Sequence, residues 1–257
     1  MKRFAAVSAV FLSILLISLL AAGCCCPVGI PGFDTLKSNA EKAADDAAKR
    51  QSEADNTVTE NGAPANGALG AGEVDLVKNG DFSNGLSGWT TRTQPGSKVA
   101  GDNSVALKGS GAKYVELKRE NGGNDGGGAY ASQDINKDVT GYTSIVVKVA
   151  ANVIAENGGN IANTNQQFFP EGACQVRVFY TAADGSAKEW YHGFYSETVA
   201  GADADHFTQV DSSTWTSWAS PNLMASVPAP RLIKKIEVYG FGWGFYGNMT
   251  AIQIIAK

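Results

Sequence analysis

The sequence predicts an all-β fold, an antiparallel sandwich, on three observations. Hydrophobic residues alternate with period two through most of the chain after residue 72. Gly, Asn and Asp break those runs at short intervals, and no stretch there carries the apolar stripe of a long amphipathic helix. The 257 residues hold 21 basic against 25 acidic side chains, a formal charge of −4, with 44% hydrophobic content. That describes neither a disordered chain nor the basic balance of a nucleic-acid binder, so no nucleic acid is expected as a partner. No Gly-rich phosphate fingerprint and no zinc-type spacing of His and Cys occur, so the sequence points to no cofactor.

Lys2 and Arg3 form a positive start, and residues 4–20 are an apolar run broken only by Ser8, Ser13 and Ser18. Ala21, Ala22 and Gly23 then precede Cys24, the layout of a secretory leader. About 20 apolar residues also suffice for a spanning helix, but small residues directly before a cysteine suit a peptidase. The stretch LLAAGC resembles the lipobox of bacterial lipoproteins. The resemblance implies that residues 1–23 are removed, that Cys24 is acylated, and that the mature chain is secreted and lipid-anchored to a bacterial membrane, at the outer membrane or cell surface. Ala21 stands where Leu is usual, and Cys25 and Cys26 follow at once, so either of these is the alternative acceptor. Several acyl chains on one residue hold firmly, at about 0.8 kcal/mol per buried CH2. Cys174 is the one cysteine outside the anchor, which excludes a disulfide framework in the folded part. It reads as a small buried hydrophobe.

Residues 24–72 read as a tether. Residues 34–54 are rich in Ala, Lys, Asp and Glu, with Asp34 as N-cap and Glu41, Asp45 and Lys49 at helical spacing, but no apolar stripe to bury. A solvated short helix is expected there, followed by a flexible linker over 56–72 in which Gly, Ala, Asn and Pro dominate.

Residues 73–257 carry all five Trp and all eight Tyr and form the folded domain. In chain order, strands are expected over 74–78, 89–93, 104–108, 113–118, 129–135, 145–153, 175–181, 188–196, 207–210, 215–219, 232–239 and 250–255. Ile145, Val147, Val149, Ala151 and Val153 share one face of their strand; Val176, Val178 and Tyr180 share one of theirs. Asp184 and Gly185 supply a hairpin turn between two runs. Twelve short segments with such turns fit a sandwich, and no repeat of 20 to 50 residues suggests a propeller or solenoid.

The most specific motif is N-G-D-F-S-N-G-L-S-G-W, from Asn79 to Trp89. With the looser matches at 128–133, 176–195, 214–218 and 233–255, it resembles the jelly-roll carbohydrate-binding modules found beside cellulases and xylanases, within the galactose-binding-like superfamily. The resemblance implies a jelly-roll sandwich over 73–257 and a glycan or polysaccharide as partner. It also raises a structural Ca2+, for which Asp81 is the candidate ligand. Ser83 stands where relatives place Glu, and the last strand lacks the expected Asp. In the motif itself, Phe82, Leu86 and Trp89 can pack under a sheet edge while Gly80, Gly85 and Gly88 permit turns.

Sugar binding needs rings for C–H faces and polar groups for hydroxyls. The run 189–195 offers both. Trp190 and Phe194 are expected inward, leaving Glu189, Tyr191 and Tyr195 outward, with Arg177 on the neighbouring strand and Gln133 elsewhere. The alternative is that all are packing residues. Trp243, in the Gly-rich stretch 240–247, either presents a ring at a loop or wraps the end of the sandwich. The segment 203–206 (Asp-Ala-Asp-His) reads as a polar loop, 121–128 as a mobile loop, and 157–172 as an insertion rimming the ligand face. The expected function is non-catalytic glycan binding. Two alternatives stand: an adhesion or protein-interaction scaffold of the same fold, and a jelly-roll glycosidase or lyase, which would need two carboxylates flanking a bond.

Overall fold

The computed structural model describes residues 63–158, 161–163, 170–226 and 228–257. The leader, Cys24 and the Ala-rich tract 34–54 lie outside the described residues. Twelve strands follow in chain order: β1 (Val74–Asp75), β2 (Thr90–Gln94), β3 (Asp102–Lys108), β4 (Tyr114–Glu120), β5 (Gly127–Asp138), β6 (Ile145–Asn157), β7 (Gly172–Ala182), β8 (Ala187–Tyr195), β9 (Phe207–Gln209), β10 (Thr216–Ala219), β11 (Pro230–Gly242) and β12 (Gly244–Ala256). They form two six-stranded sheets. The first has the order β10-β6-β12-β4-β3, with β1 also on β12; the second runs β2-β5-β11-β7-β8-β9.

Alternation builds the core between the sheets. Val115, Leu117, Val147, Val149, Val153, Met249, Ile252 and Ile254 of the first sheet meet Ala129, Ala131, Cys174, Val176, Val178, Phe194, Ile236 and Val238 of the second. Trp218 of β10 reaches across to β8, stacking on His192 at 4.0 Å between ring centroids. Cys174 is fully buried, and burial pushes its thiol up, as fits an unreactive packing residue.

Three strand expectations need correction. The ladders are antiparallel except where β9 pairs with β8 in parallel. The excursion 196–206 carries the chain back to the start of that edge, so it re-enters in the direction of β8 rather than against it. β1 has two residues rather than five. Asp75 accepts from Val77 N at 2.9 Å and Ile254 N at 3.1 Å, which turns the chain off the ladder at once. The stretch 240–247 is no ring-bearing loop; β11 and β12 run through it to a turn at Trp243. Its glycines are packing requirements: a Cβ on Gly240 would stand 2.4 Å from the Phe245 ring, and one on Gly247 2.4 Å from Cys174 Sγ.

The Asn79–Trp89 motif is a structural corner. Asn79, at φ 54°, donates from Nδ2 to Gly85 O and accepts at Oδ1 from Asn84 N, while its carbonyl takes the Trp89 indole N–H at 3.1 Å. The Phe82 and Trp89 rings lie 5.1 Å apart in the core. Gly80 touches β12 so closely that a Cβ would sit 1.8 Å from Ile252 O. Part of the expected linker is also built in: Gly67 donates to Gln253 Oε1 at 3.1 Å, and Gln253 Nε2 returns a bond to Gly67 O at 3.3 Å.

Among the described residues Arg119 is the largest fully buried side chain, 1% exposed. Its guanidinium donates to the carbonyls of Val99, Ala100, Asp125 and Trp243 and to Asn103 Oδ1. One side chain thereby ties the segments around residues 100 and 125 to the β11–β12 turn.

Candidate functional site

The outward residues of the second sheet form rows across its strands. In one row, Arg92 on β2 stands opposite Tyr130, Tyr130 opposite Tyr239, and Tyr239 opposite Gln175. In the next, Ser132, Glu237, Arg177 and Tyr191 follow one another on β5, β11, β7 and β8. A third carries Lys235, Phe179 and Glu189. Strand pleating puts all of them on the face away from the core.

Glu237 is the centre. It is 0% exposed and meets three cations: Arg177 Nε at 2.7 Å with a second contact from Nη2, Arg92 Nη2 at 3.4 Å, and Lys235 Nζ at 3.7 Å. Arg177 also reaches Glu189 Oε1 at 3.5 Å. Burial alone would pull the Arg177 guanidinium down, but Glu237, Tyr239 and Glu189 outweigh it and hold it above its ordinary value.

The rings of this face are roofed. Tyr130 and Tyr239 stack at 5.6 Å, the Arg92 guanidinium lies 3.5 Å over Tyr130, and that of Arg177 lies 4.7 Å over Tyr239. Their hydroxyls donate to Gln94 Oε1 and Gln175 Oε1. Burial raises both phenols, so both stay neutral donors. Gly128 makes room for this, since a Cβ there would fall 2.4 Å from the Tyr130 hydroxyl. What the face offers outward is therefore guanidinium N–H groups, the Glu189 carboxylate, the Lys235 ammonium and the half-buried Tyr191 ring, which stacks on His206 at 4.6 Å. The guanidinium and ammonium groups can donate to hydroxyls and the carboxylate can accept from them.

Of the sequence-derived site residues, Arg177, Glu189 and Tyr191 come together here. Tyr195 shares their strand face but is 8% exposed, packed with Phe207 and Ala162 beside β9. Gln133 is not on this face: the period of two places it inward with Ala129 and Ala131, where it accepts from Lys78 N at 2.8 Å and donates to Lys78 O at 2.7 Å. Trp243 sits at the β11–β12 turn, half buried, and its carbonyl serves Arg119. Asp81 accepts from Ser83 N and Oγ, closing a local turn. One engaged carboxylate falls short of the six to eight oxygens calcium takes, and no group of three His, Cys, Asp or Glu gathers among the described residues.

The sequence reading missed Arg92, Tyr130, Lys235, Glu237 and Tyr239. No local signal marks Glu237 or Tyr130: alternating with the core residues Ile236 and Val238, or Ala129 and Ala131, each reads as an ordinary outward side chain.

A separate cavity of about 520 Å³ lies between the ends of β6 and β8, lined by Glu156, Asn157, Glu197 and Val199 among others. Burial raises the Glu156 carboxyl, although its oxygens accept from Ala173 N and Ser196 N. Asp203 and His206, the polar loop of the sequence reading, pair at 3.0 Å beside Tyr191.

Comparison with protein-family models and with curated proteins finds no match. Among solved structures, the chain is similar to the family 11 carbohydrate-binding module of the cellulosomal cellulase Lic26A-Cel5E of Clostridium thermocellum, at 12% identity and a TM-score of 0.41 over 74% of this chain and 97% of that one. It is similar to TmCBM61, solved with β-1,4-galactotriose, at 12% identity and a TM-score of 0.38 over 72% of this chain and 99% of that one. A cyclase from Fischerella sp. TAU is similar to the same extent, at 12% identity and a TM-score of 0.40 over 72% and 98%.

Proposed function

We propose that the chain is a non-catalytic, lipid-anchored surface protein that binds a glycan on the outer face of its second sheet. The observation that carries this is the cluster Arg92, Glu237, Arg177, Glu189 and Tyr191, drawn from three adjoining rows of that face. It holds fixed donors, an acceptor and a ring across adjacent strands, the combination that a polyhydroxylated ring requires. Glu237 positions the guanidinium of Arg177; Arg177, Glu189 and Tyr191 contact the ligand, with Arg92 and Lys235 at the margins. Affinity rests more on hydrogen bonds than on bare aromatic platforms, because guanidinium groups cover the Tyr130 and Tyr239 rings. The carboxylates of the face are engaged by cations, which supports binding over hydrolysis. The anchor rests on the lipobox-like LLAAGC and on Cys24.

A glycan array probed with the full-length chain tests the reading. Arg177→Ala and Tyr191→Ala should each weaken retention at least about tenfold, a loss of about 1.4 kcal/mol, while Trp243→Ala changes it little. If no polysaccharide is retained, or Arg177→Ala binds like the parent, glycan binding here is wrong. Cys24→Ala should move the protein from the membrane to the soluble fraction and abolish incorporation of labelled palmitate. The scaffold reading keeps one observation in its favour: the exposed large hydrophobic residues among those described, Leu69, Val74, Val99 and Leu107, are aliphatic rather than aromatic.

A further inference from the structure

The outer face of the second sheet carries more guanidinium than its buried acid requires. Arg177 already completes Glu237, approaching Oε1 from Nε at 2.7 Å and again from Nη2. Arg92 adds little to that pair. It reaches Glu237 through Nη2, at 3.4 Å from each oxygen, and its side chain is 46% exposed. So long a contact from a half-exposed cation contributes little to stability. What fixes Arg92 is the Tyr130 ring, 3.5 Å beneath its guanidinium. Arg177 lies 5.9 Å from the same ring and 4.7 Å over Tyr239, which stacks on Tyr130. Two guanidinium groups thus share one pair of stacked rings.

The other charges of the face lie one row further on. Lys235 stands there with Asp134 in register on β5, and Glu189 follows beyond Phe179 on β8. The rows of Arg92 and Arg177 therefore hold two cations against one buried acid, while the row of Lys235 holds two acids against one cation. Charge is sorted across the face, and the positive part is the Arg92–Arg177 end. Two like charges held together over a single carboxylate repel each other, and a bound anion would relieve that repulsion. This local excess occurs in a chain whose formal charge is −4.

On the glycan reading of this face, on which this step rests, we infer that Arg92 and Arg177 form a carboxylate subsite and that the glycan is an acidic one, built with uronate residues. A guanidinium is a planar fork, and it meets a planar carboxylate with two parallel N–H···O bonds. The exposed Arg92 side chain makes the subsite reachable from solvent. At the other end of the face, the Glu189 carboxylate is 36% exposed and the Tyr191 ring is half buried. These suit the hydroxyls and C–H groups of a sugar and repel a second carboxylate. The ligand accordingly lies across the strands, with its acid group toward β2 and β5 and its hydroxyls toward β8.

The test is calorimetric titration of the full-length chain with tetramers of galacturonate, mannuronate and glucuronate. Each is paired with its methyl ester, which keeps the sugar and removes the charge. Cellotetraose, mannotetraose, xylotetraose and galactotetraose are the neutral set; a sulfated carrageenan tetrasaccharide and tetraglutamate are the anionic controls. At least one uronate tetramer should bind at least tenfold more tightly than its ester, and raising salt from about 0.1 to about 1 M should remove most of that advantage. Arg92→Gln should weaken uronate binding at least tenfold and bring acid and ester level. Arg92→Lys, which keeps the charge and loses the fork, should weaken it several-fold, and it serves if Arg92→Gln does not fold. If neutral tetramers bind through Arg177 and Tyr191 but no uronate outbinds its ester, the acidic class is wrong and the glycan site stands. If no saccharide binds, both readings fall. Equal binding of the sulfated tetrasaccharide or of tetraglutamate would show a patch that reads charge alone. Uronate binding unchanged in Arg92→Gln would place the acid elsewhere; either result overturns the carboxylate subsite.

Discussion

Arg177 and Glu237 stand opposite each other on β7 and β11 and form an ion pair in which the carboxylate is fully buried and the arginine side chain keeps 13% exposure. A pair of this kind is worth little against apolar replacements but much against the loss of one partner. Arg177→Met leaves Glu237 with only the longer contacts to Arg92 and Lys235. It should cost about 3 kcal/mol in urea unfolding. Arg177→Met/Glu237→Leu together should recover most of that, and a double variant no better than the single would argue against the pair as the cause.

His192 lies inward, stacked on Trp218, with Nε2 2.9 Å from Thr208 Oγ1. Burial, with a smaller effect from His206, lowers it to about 4. The unfolded chain therefore binds a proton on this residue between about pH 6.5 and 4 that the folded chain does not, and stability falls as pH drops through that window. The loss should be on the order of 2 kcal/mol after allowance for solvent screening. His192→Phe should flatten this segment of the stability curve. An unchanged slope in calorimetry from pH 7 to 4 would count against it.

Gly80→Ala drives a Cβ into the Ile252 carbonyl of β12, a backbone atom that cannot swing aside. A loss of about 3 kcal/mol is expected in thermal unfolding. Gly111→Ala, where nothing lies within 4 Å, is the control and should stay within about 0.5 kcal/mol.

Arg119→Lys keeps the charge but replaces a planar fork with three donors at one atom. Several of the five oxygens now held would lose their partner. About 3 kcal/mol should be lost. Hydrogen exchange should quicken first in the segments near residues 100 and 125, and uniform exchange across the domain would contradict the clamp.

Most of the strand framework was legible because its signal is local: a residue between two core positions must face away from them, as Lys148 and Ala150 do between Val147, Val149 and Ala151. The same rule correctly grouped Arg177, Glu189 and Tyr191, and it would have excluded Gln133, which alternates in phase with Ala129 and Ala131. The parallel β9 was illegible because strand direction depends on the path of a connection, not on the three residues of the strand. The glycines of 240–247 looked like a loop because the purpose of two of them, Gly240 and Gly247, lies in close packing against Phe245 and Cys174. Glu237 went unseen for a related reason: its cations come from β2, β7 and its own strand, and only the sheet order brings Arg92 and Arg177 to the same carboxylate.

The sheets end on short strands. β9 has three residues, β10 four and β2 five, while the 12- and 13-residue strands β5, β6, β11 and β12 are all interior. Only β3, with seven residues and Asp102 and Lys108 at its ends, offers a longer free border. Two copies pressed side by side would thus find little open ladder on which to zip together. The molecule can be crowded without polymerising edge to edge, and its broad faces remain the surfaces through which it meets others.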